Sequence, residues 1–108
     1  LYDIPITYVR GMNLSEVLSE KMRAVMTRGN ARDLYDAWYL ASRRKIELDR
    51  QLTNAKLSFY GRTLDKDELN VEIERISRSW GKELRPIVIG PLPGFEEVRP
   101  TVSTLIDR

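Results

Sequence analysis

The chain has 108 residues, 42% of them hydrophobic, and its 18 Lys and Arg residues against 16 Asp and Glu residues give a formal net charge of +2. This length is typical of a single domain. Because the sequence contains no Cys and no His, it excludes disulfides, thiol nucleophiles, imidazole general bases and metal sites with Cys or His ligands. Any chemistry must therefore use carboxylates, Lys, Arg, Tyr or hydroxyl groups.

Residues 1–9 predict a short strand at the start of the chain. Apolar side chains alternate there in the order Ile4, Ile6 and Tyr8, which is typical of a strand, and Pro5 restricts it to a sheet edge. We expect this strand to precede a mostly α, bundle-like domain of four to five helices. The centre of that domain is a helical hairpin over about 14–44.

Two helices joined by a short turn are predicted over about 14–28 and 31–44. Asn13 fits the N-cap of the first helix, Gly29 ends it, and Asn30 fits the N-cap of the second. Apolar residues recur at helical spacing in both, namely Leu14, Val17, Leu18, Met22, Val25 and Met26, then Leu34, Ala37, Trp38 and Ala41. The short linker predicts that the two helices pack against each other, antiparallel or steeply angled.

The second half of the chain predicts further helices. The third covers about 47–60, and its inner side is expected to carry Leu48, Leu52, Ala55 and Phe59. The fourth covers about 65–80, ends at Gly81, and is expected to carry Leu69, Val71, Ile73, Ile76 and Trp80. A loop rich in Pro and Gly follows, and the last helix, over about 94–107, contains Pro100.

Positive charge is concentrated in one part of the chain. Residues 21–50 contain eight Lys and Arg but only four Asp and Glu, a surplus of four. Arg43, Arg44 and Lys45 follow one another at the predicted end of the second helix. Such a run fits a solvated helix end, where cations meet the negative end of the dipole. It equally fits contacts with RNA phosphates.

Charged side chains also crowd the predicted hairpin. Lys21 and Arg28 are seven residues apart, about two helical turns, so they point to the same side of the first helix. Asp33 and Asp36 are spaced i, i+3 on the second helix and share a face. Folding the hairpin is expected to bring Lys21 close to these acids, which is a reasonable phosphate-binding arrangement near a helix start. Helix capping and solvated charges explain the same spacing, so the spacing leaves both readings open.

The order of residues in this hairpin is more informative than their spacing. The residues are Glu20, Lys21, Ala24, Arg28, Arg32, Asp33, Tyr35 and Asp36, followed by an apolar and aromatic run. Over residues 13–41 this order resembles the AbiEii-type nucleotidyltransferases, the toxins of abortive-infection and type IV toxin–antitoxin systems. The resemblance implies an N-terminal nucleotidyltransferase core with a Gly-Ser turn and an Asp-x-Asp metal pair. A helical C-terminal part then supplies a Lys and an Asp to the same cleft.

The resemblance also implies roles for individual residues. Lys21, Asp33 and Asp36 would be catalytic, and Lys21 would contact the triphosphate of a bound nucleotide with Arg28 and Arg32 as supporting cations. The implied cofactors are Mg²⁺ and a nucleoside triphosphate, and the implied acceptor is a tRNA. The implied protein partner is a winged-helix antitoxin encoded by a neighbouring gene.

The chain departs from the family pattern in its metal site. No Gly-Ser turn followed by a strand with Asp-x-Asp occurs, and the pair Asp65 and Asp67 is better explained by helix capping. We therefore expect residues 1–108 to be a single helical domain, the C-terminal part of a larger nucleotidyltransferase, without metal ligands and inactive alone. The alternative is a non-enzymatic helical adaptor that binds RNA or a protein through residues 21–50. In either case no apolar run approaches the roughly 20 residues of a membrane span and no secretory signal appears, so a cytoplasmic protein is expected.

Overall fold

A computed structural model describes residues 13–86 and 92–107, and within them it contains helices and no strand. The α-helices are α1 (Leu14–Arg28), α2 (Ala31–Ser42), α3 (Arg50–Ser58), α4 (Lys66–Ser77), α5 (Trp80–Leu84) and α6 (Phe95–Ser103), and a 3₁₀ turn follows at Thr104–Asp107. The prediction of a mostly α domain is confirmed. The strand predicted over 1–9 lies outside the described residues, as do the side chains of Arg28 and Asp107.

Local caps fix the hairpin of α1 and α2 where the sequence places it. The side chain of Asn13 accepts a hydrogen bond from the backbone N–H of Glu16 at 2.8 Å. Gly29 ends α1 in the left-handed conformation with φ +64°, which a residue without Cβ adopts most easily. The side chain of Asn30 then caps α2. Helix α2 ends at Ser42, two residues before the predicted end, so the basic run follows the helix instead of forming its last turn.

Helix α3 differs from its prediction in both its start and its buried face. It begins at Arg50, because the side chain of Asp49 accepts a hydrogen bond from the first turn. Its buried residues are Thr53 and Leu57, whereas Phe59 is 89% exposed. The predictions for Ala55 and Phe59 were therefore wrong, whereas Leu48 and Leu52 are partly buried. Phe59 lies beyond the last residue of α3 and points away from the core that Leu57 enters.

Helix α4 buries Leu69, Ile73 and Ile76, as predicted. The prediction for Val71 was wrong, since Val71 is 65% exposed. Two residues after Leu69 correspond to about 200° around a helix, which is the opposite face. Helix α4 also ends earlier than predicted, at Ser77, and Trp80 begins the separate helix α5. Gly81 therefore lies inside α5 and does not end α4.

A single hydrophobic core receives side chains from all the described helices. Its fully buried members include Leu18, Met22, Met26, Leu34, Leu40, Leu57, Ile73, Leu84, Val102 and Leu105. Helix α1 packs against α2, α3 and α4, while α6 packs across α2 and α4. The α1–α2 hairpin is thus covered by the other helices on its apolar side, which holds its charged residues in fixed positions.

Candidate functional site

Lys21 of α1 lies between two carboxylates of α2. Its Nζ atom is 2.7 Å from Oδ2 of Asp36 and 3.4 Å from Oδ1 of Asp33. All three residues are buried, with 7% of Lys21, 5% of Asp33 and none of Asp36 exposed. The structure therefore brings together the lysine and both acids that the sequence singled out. We call these three residues the lysine–carboxylate trio.

The turn between the helices explains this meeting. Lys21 precedes Gly29 by eight residues, and Asp33 and Asp36 follow it by four and seven. All three are thus within about two helical turns of the point where the chain reverses. Asp33 is the acidic residue in the first turn of α2, where the helix dipole stabilises a carboxylate. Asp36 lies one turn further into the helix and deeper in the protein.

Burial makes this arrangement sensitive to the loss of any member. Moving a charged group out of water costs several kcal/mol, and its partners must offset that cost. Asp36 has the shorter contact and is fully buried, so it anchors the ammonium group. Asp33 has the longer contact and lies nearer the surface. The trio carries a formal charge of −1, so a polyphosphate bound beside it needs further cations.

The trio does not fit a divalent metal site as it stands. The ammonium of Lys21 lies within 3.4 Å of both carboxylates and occupies the place that a cation shared by them would take. In residues 13–86 and 92–107, no cluster of three or more acidic side chains is arranged to hold a metal ion. The pair Asp65 and Asp67 acts as the sequence suggests, because Oδ1 of Asp65 accepts the backbone N–H of Asp67 at 2.7 Å and caps α4.

The structure says less about the two arginines that were predicted to support phosphate binding. Arg28 is the last residue of α1, and its side chain lies outside the described part of the structure. Arg32 is the second residue of α2 and is exposed. Its position at the start of α2 puts it on the same turn of the helix as Asp33. The structure leaves the roles of both arginines as predictions.

A second ionic cluster, which sequence reasoning missed, joins α1 to α3. Glu20 pairs through Oε2 with Nζ of Lys56 at 3.0 Å, and through Oε1 with Nε of Arg23 at 2.9 Å. Burial raises the pKa of Glu20, but its hydrogen bonds and charge interactions with Arg23 and Lys56 outweigh burial and hold the pKa below its ordinary value. The available signal was the composition of residues 50–64, which contain three cations and no acid. Any acid that forms an ion pair with a cation of α3 must therefore lie outside this segment.

The family model for the nucleotidyl transferase AbiEii toxin of type IV toxin–antitoxin systems matches residues 1–108. No curated protein and no solved structure matches the chain. Among the helices in the described part of the chain, none is both long and apolar enough to cross a membrane.

Proposed function

Because the chain belongs to the AbiEii family of nucleotidyl transferase toxins, we propose that it is the C-terminal helical part of an enzyme that transfers a nucleotide from a nucleoside triphosphate to an acceptor such as tRNA. The observation that carries this proposal is the lysine–carboxylate trio. A buried ammonium with two carboxylate partners is held in one orientation, and fixed charges contribute most to electrostatic catalysis. The family resemblance assigns its lysine and its acids to the cleft where the nucleotide binds.

Lys21 would act on the triphosphate in this reaction. A hydroxyl oxygen of the acceptor loses its proton to solvent and forms a bond to the α-phosphorus, the bond from that phosphorus to the bridging oxygen breaks, and pyrophosphate leaves with the negative charge. A cation placed at the phosphates stabilises that charge more in the transition state than in the bound substrate. Asp36 positions the ammonium, whereas Asp33 lies closer to the surface and so closer to the substrate. Arg28 and Arg32 would add the positive charge that the trio itself lacks.

Metal chemistry would have to come from outside this chain. The family generally uses a divalent metal, which stabilises charge on transferred phosphoryl groups. Since the trio does not fit such an ion, Mg²⁺ would be held by carboxylates of the N-terminal core that the resemblance implies. The helical part would then contribute a cation and its positioning acids, and it would be inactive alone.

The proposal also implies a protein partner and a cellular compartment. A type IV toxin has a cognate antitoxin, which the resemblance describes as a winged-helix protein encoded next to the toxin. Nucleoside triphosphates and tRNA are cytoplasmic, so the enzyme would act in the cytoplasm. The observation that tests this arrangement most directly is a nucleotidyltransferase core with Gly-Ser and Asp-x-Asp encoded upstream of residue 1.

The experiment uses the full-length protein with each labelled nucleoside triphosphate and total tRNA. We expect labelled tRNA from the wild type and a loss of at least about a hundredfold in rate for Lys21→Met, which is the usual size for removing one stabilising group. Lys82→Met, which removes an exposed lysine of α5, should transfer nucleotide normally. Thermal unfolding of each variant separates lost chemistry from lost folding. Normal transfer by a folded Lys21→Met variant would remove Lys21 from the mechanism.

The adaptor alternative has less support from the structure. It relies on the cations of residues 21–50, but Lys21 is buried between Asp33 and Asp36. The basic run that starts at Arg43 follows the C-terminal end of α2, away from the turn that joins α1 to α2. Lys21 and the basic run therefore do not belong to one exposed surface. An adaptor also predicts that the full-length wild type transfers no nucleotide under any of the conditions above.

A further inference from the structure

The end of helix α3 exposes two adjacent aromatic side chains. Phe59 is 89% exposed and Tyr60 is 55% exposed. In the described part of the chain, the only other large hydrophobic residue that is exposed is Val71 on α4. Scattered single apolar residues on a surface are ordinary, but neighbouring aromatic rings are typical of binding surfaces.

Backbone hydrogen bonds hold these rings on a rigid helix end. The N–H of Arg62 bonds to the carbonyl of Leu57 at 3.1 Å, and the N–H of Gly61 bonds to that of Ser58 at 3.1 Å. Together with φ +67° at Gly61, this is the Schellman pattern that terminates helices. The two rings therefore do not belong to a loose loop, and a ligand that contacts them meets a preformed surface.

One cation contacts Tyr60, and two others, Lys56 and Arg62, lie within four residues of the rings in sequence. Residues 50–64 carry three Lys and Arg and no acid. The guanidinium of Arg23 lies 5.3 Å from the centre of the Tyr60 ring, and its Nη1 atom is 3.4 Å from the hydroxyl of Tyr60. Lys56 pairs with Glu20, and Arg62 pairs with Glu68 at 3.2 Å. Pairs of this partly exposed kind contribute at most about 1 kcal/mol, so these cations can exchange a carboxylate for a phosphate.

We propose that Phe59 and Tyr60, with Arg23, Lys56 and Arg62, form a platform that binds single-stranded nucleic acid. Flat exposed rings stack bases of any sequence, and neighbouring cations contact the backbone phosphates. With Glu20 and Glu68 included, the three cations and two acids of this surface sum to +1, and this excess of positive charge favours a polyanion over a second copy of the same surface. The platform deepens the proposed function by locating the polynucleotide acceptor. It is tested without a nucleoside triphosphate, so that the two proposals can fail separately.

The test measures fluorescence anisotropy of a labelled 12-nucleotide uridine oligomer with the full-length protein. We expect the single strand to bind more tightly than a 12-base-pair RNA duplex. The double variant Phe59→Ala/Tyr60→Ala should bind at least about fivefold more weakly, which corresponds to about 1 kcal/mol of stacking. The matched control Val71→Ala removes an exposed apolar side chain on another helix and should bind within about twofold of the wild type. Lys56→Gln should flatten the dependence of affinity on salt.

Three results would overturn the platform. The first is unchanged affinity in the double variant whose thermal unfolding matches the wild type. The second is equal affinity for the single strand and the duplex, since stacking requires free bases. The third is concentration-dependent self-association that the double variant abolishes, which would make this surface an interface between copies. Two single variants, Phe59→Leu and Phe59→Ala, refine the first result. Phe59→Leu keeps an apolar side chain but removes the flat ring, so it should bind as weakly as Phe59→Ala, and wild-type affinity in Phe59→Leu would rule out stacking on this ring.

Discussion

Asp33 and Asp36 contact the same ammonium group but should respond differently to substitution. Asp36 is fully buried at 2.7 Å from Nζ of Lys21, so Asp36→Ala leaves a buried cation with a weaker partner. We expect this change to lower the free energy of unfolding by about 3–5 kcal/mol, the usual cost of breaking a buried pair. Asp33→Asn keeps the shape of a side chain that has the longer contact, and we expect a loss of only about 1 kcal/mol. Urea unfolding of the purified variants measures both.

A double-mutant cycle separates the charge from the packing in this prediction. Lys21→Met/Asp36→Leu removes one buried charge of each sign and fills similar space, which is often neutral for stability. The double variant should therefore be more stable than either single variant, Lys21→Met or Asp36→Leu. If the two single variants lower the free energy of unfolding by amounts that simply add in the double variant, the ion pair contributes nothing and only the packing of the two side chains matters.

Glu20 makes the stability of the α1–α3 contact depend on pH. Its pKa is held below the ordinary value of 4.5 in the folded protein by Arg23 and Lys56. The unfolded chain therefore takes up the proton first as the pH falls. The stabilisation is complete above about pH 5.5 and is lost as the pH falls through and below the unfolded value. Glu20→Gln should accordingly be less stable than the wild type at pH 7, and this difference should shrink toward pH 3.

The measurement is thermal unfolding of both proteins at several pH values, with Gln51→Ala on the neighbouring helix α3 as the control. Gln51 is exposed and carries no titratable group, so its substitution should shift the midpoint equally at pH 7 and pH 3. A constant difference between Glu20→Gln and the wild type over this range would show that the cluster does not stabilise the fold through its charge.

At the scale of the helices, the two left-handed glycines allow a matched test of the hairpin turn. Gly29 and Gly61 have φ of +64° and +67°, and each L side chain placed there costs about 1–2 kcal/mol. A Cβ at Gly61 meets no atom within 4 Å, whereas one at Gly29 collides with the guanidinium of Arg75. Because Arg75 is a long and partly exposed side chain, it can move aside. We expect Gly29→Ala to cost slightly more than Gly61→Ala in urea unfolding.

The variant Arg75→Ala checks the cause of that extra cost. In its background, Gly29→Ala and Gly61→Ala should lower the free energy of unfolding equally, since only the backbone conformation then remains. A larger cost of Gly29→Ala in both backgrounds would show that the turn itself, which sets how Lys21 meets its acids, resists the substitution.

Local signals predicted the hairpin helices, and tertiary contacts decided the rest. Asn13, Gly29 and Asn30 fix α1 and α2 through hydrogen bonds within a few residues, so these caps could be read from the sequence. The spacing of charges likewise anticipated the lysine–carboxylate trio. By contrast, α3 spans Arg50–Ser58, and so short a helix fits more than one apolar stripe. Its orientation is the one that buries Thr53 and Leu57 and brings Lys56 to Glu20, thirty-six residues earlier, and no local pattern reveals it.

At the scale of the whole molecule, an aromatic cluster connects helices that are distant in sequence. The ring of Trp80 lies 6.3 Å from that of Tyr35 on α2 and 5.7 Å from that of Phe95 on α6. Its indole Nε1 donates a hydrogen bond to the carbonyl of Pro93 at 3.1 Å. Trp80 thereby holds the segment before α6 against the hairpin. The second half of the chain is packed on the same core as the trio and not on a core of its own.

This shared core predicts that the 108-residue chain, expressed alone, unfolds in one cooperative transition. Trp38 reports on α2 and Trp80 on α5 and α6, since both are buried in the core. In the single-tryptophan variants Trp38→Phe and Trp80→Phe, the fluorescence midpoint in urea should coincide with the midpoint of far-UV circular dichroism. Both variants lose packing, but Trp80→Phe also loses the hydrogen bond to the carbonyl of Pro93. We therefore expect Trp80→Phe to be less stable than Trp38→Phe by about 1 kcal/mol. If Trp80 instead reported an earlier transition than circular dichroism in Trp38→Phe, α5 and α6 would form a separate unit. The trio would then be held by α1–α4 alone.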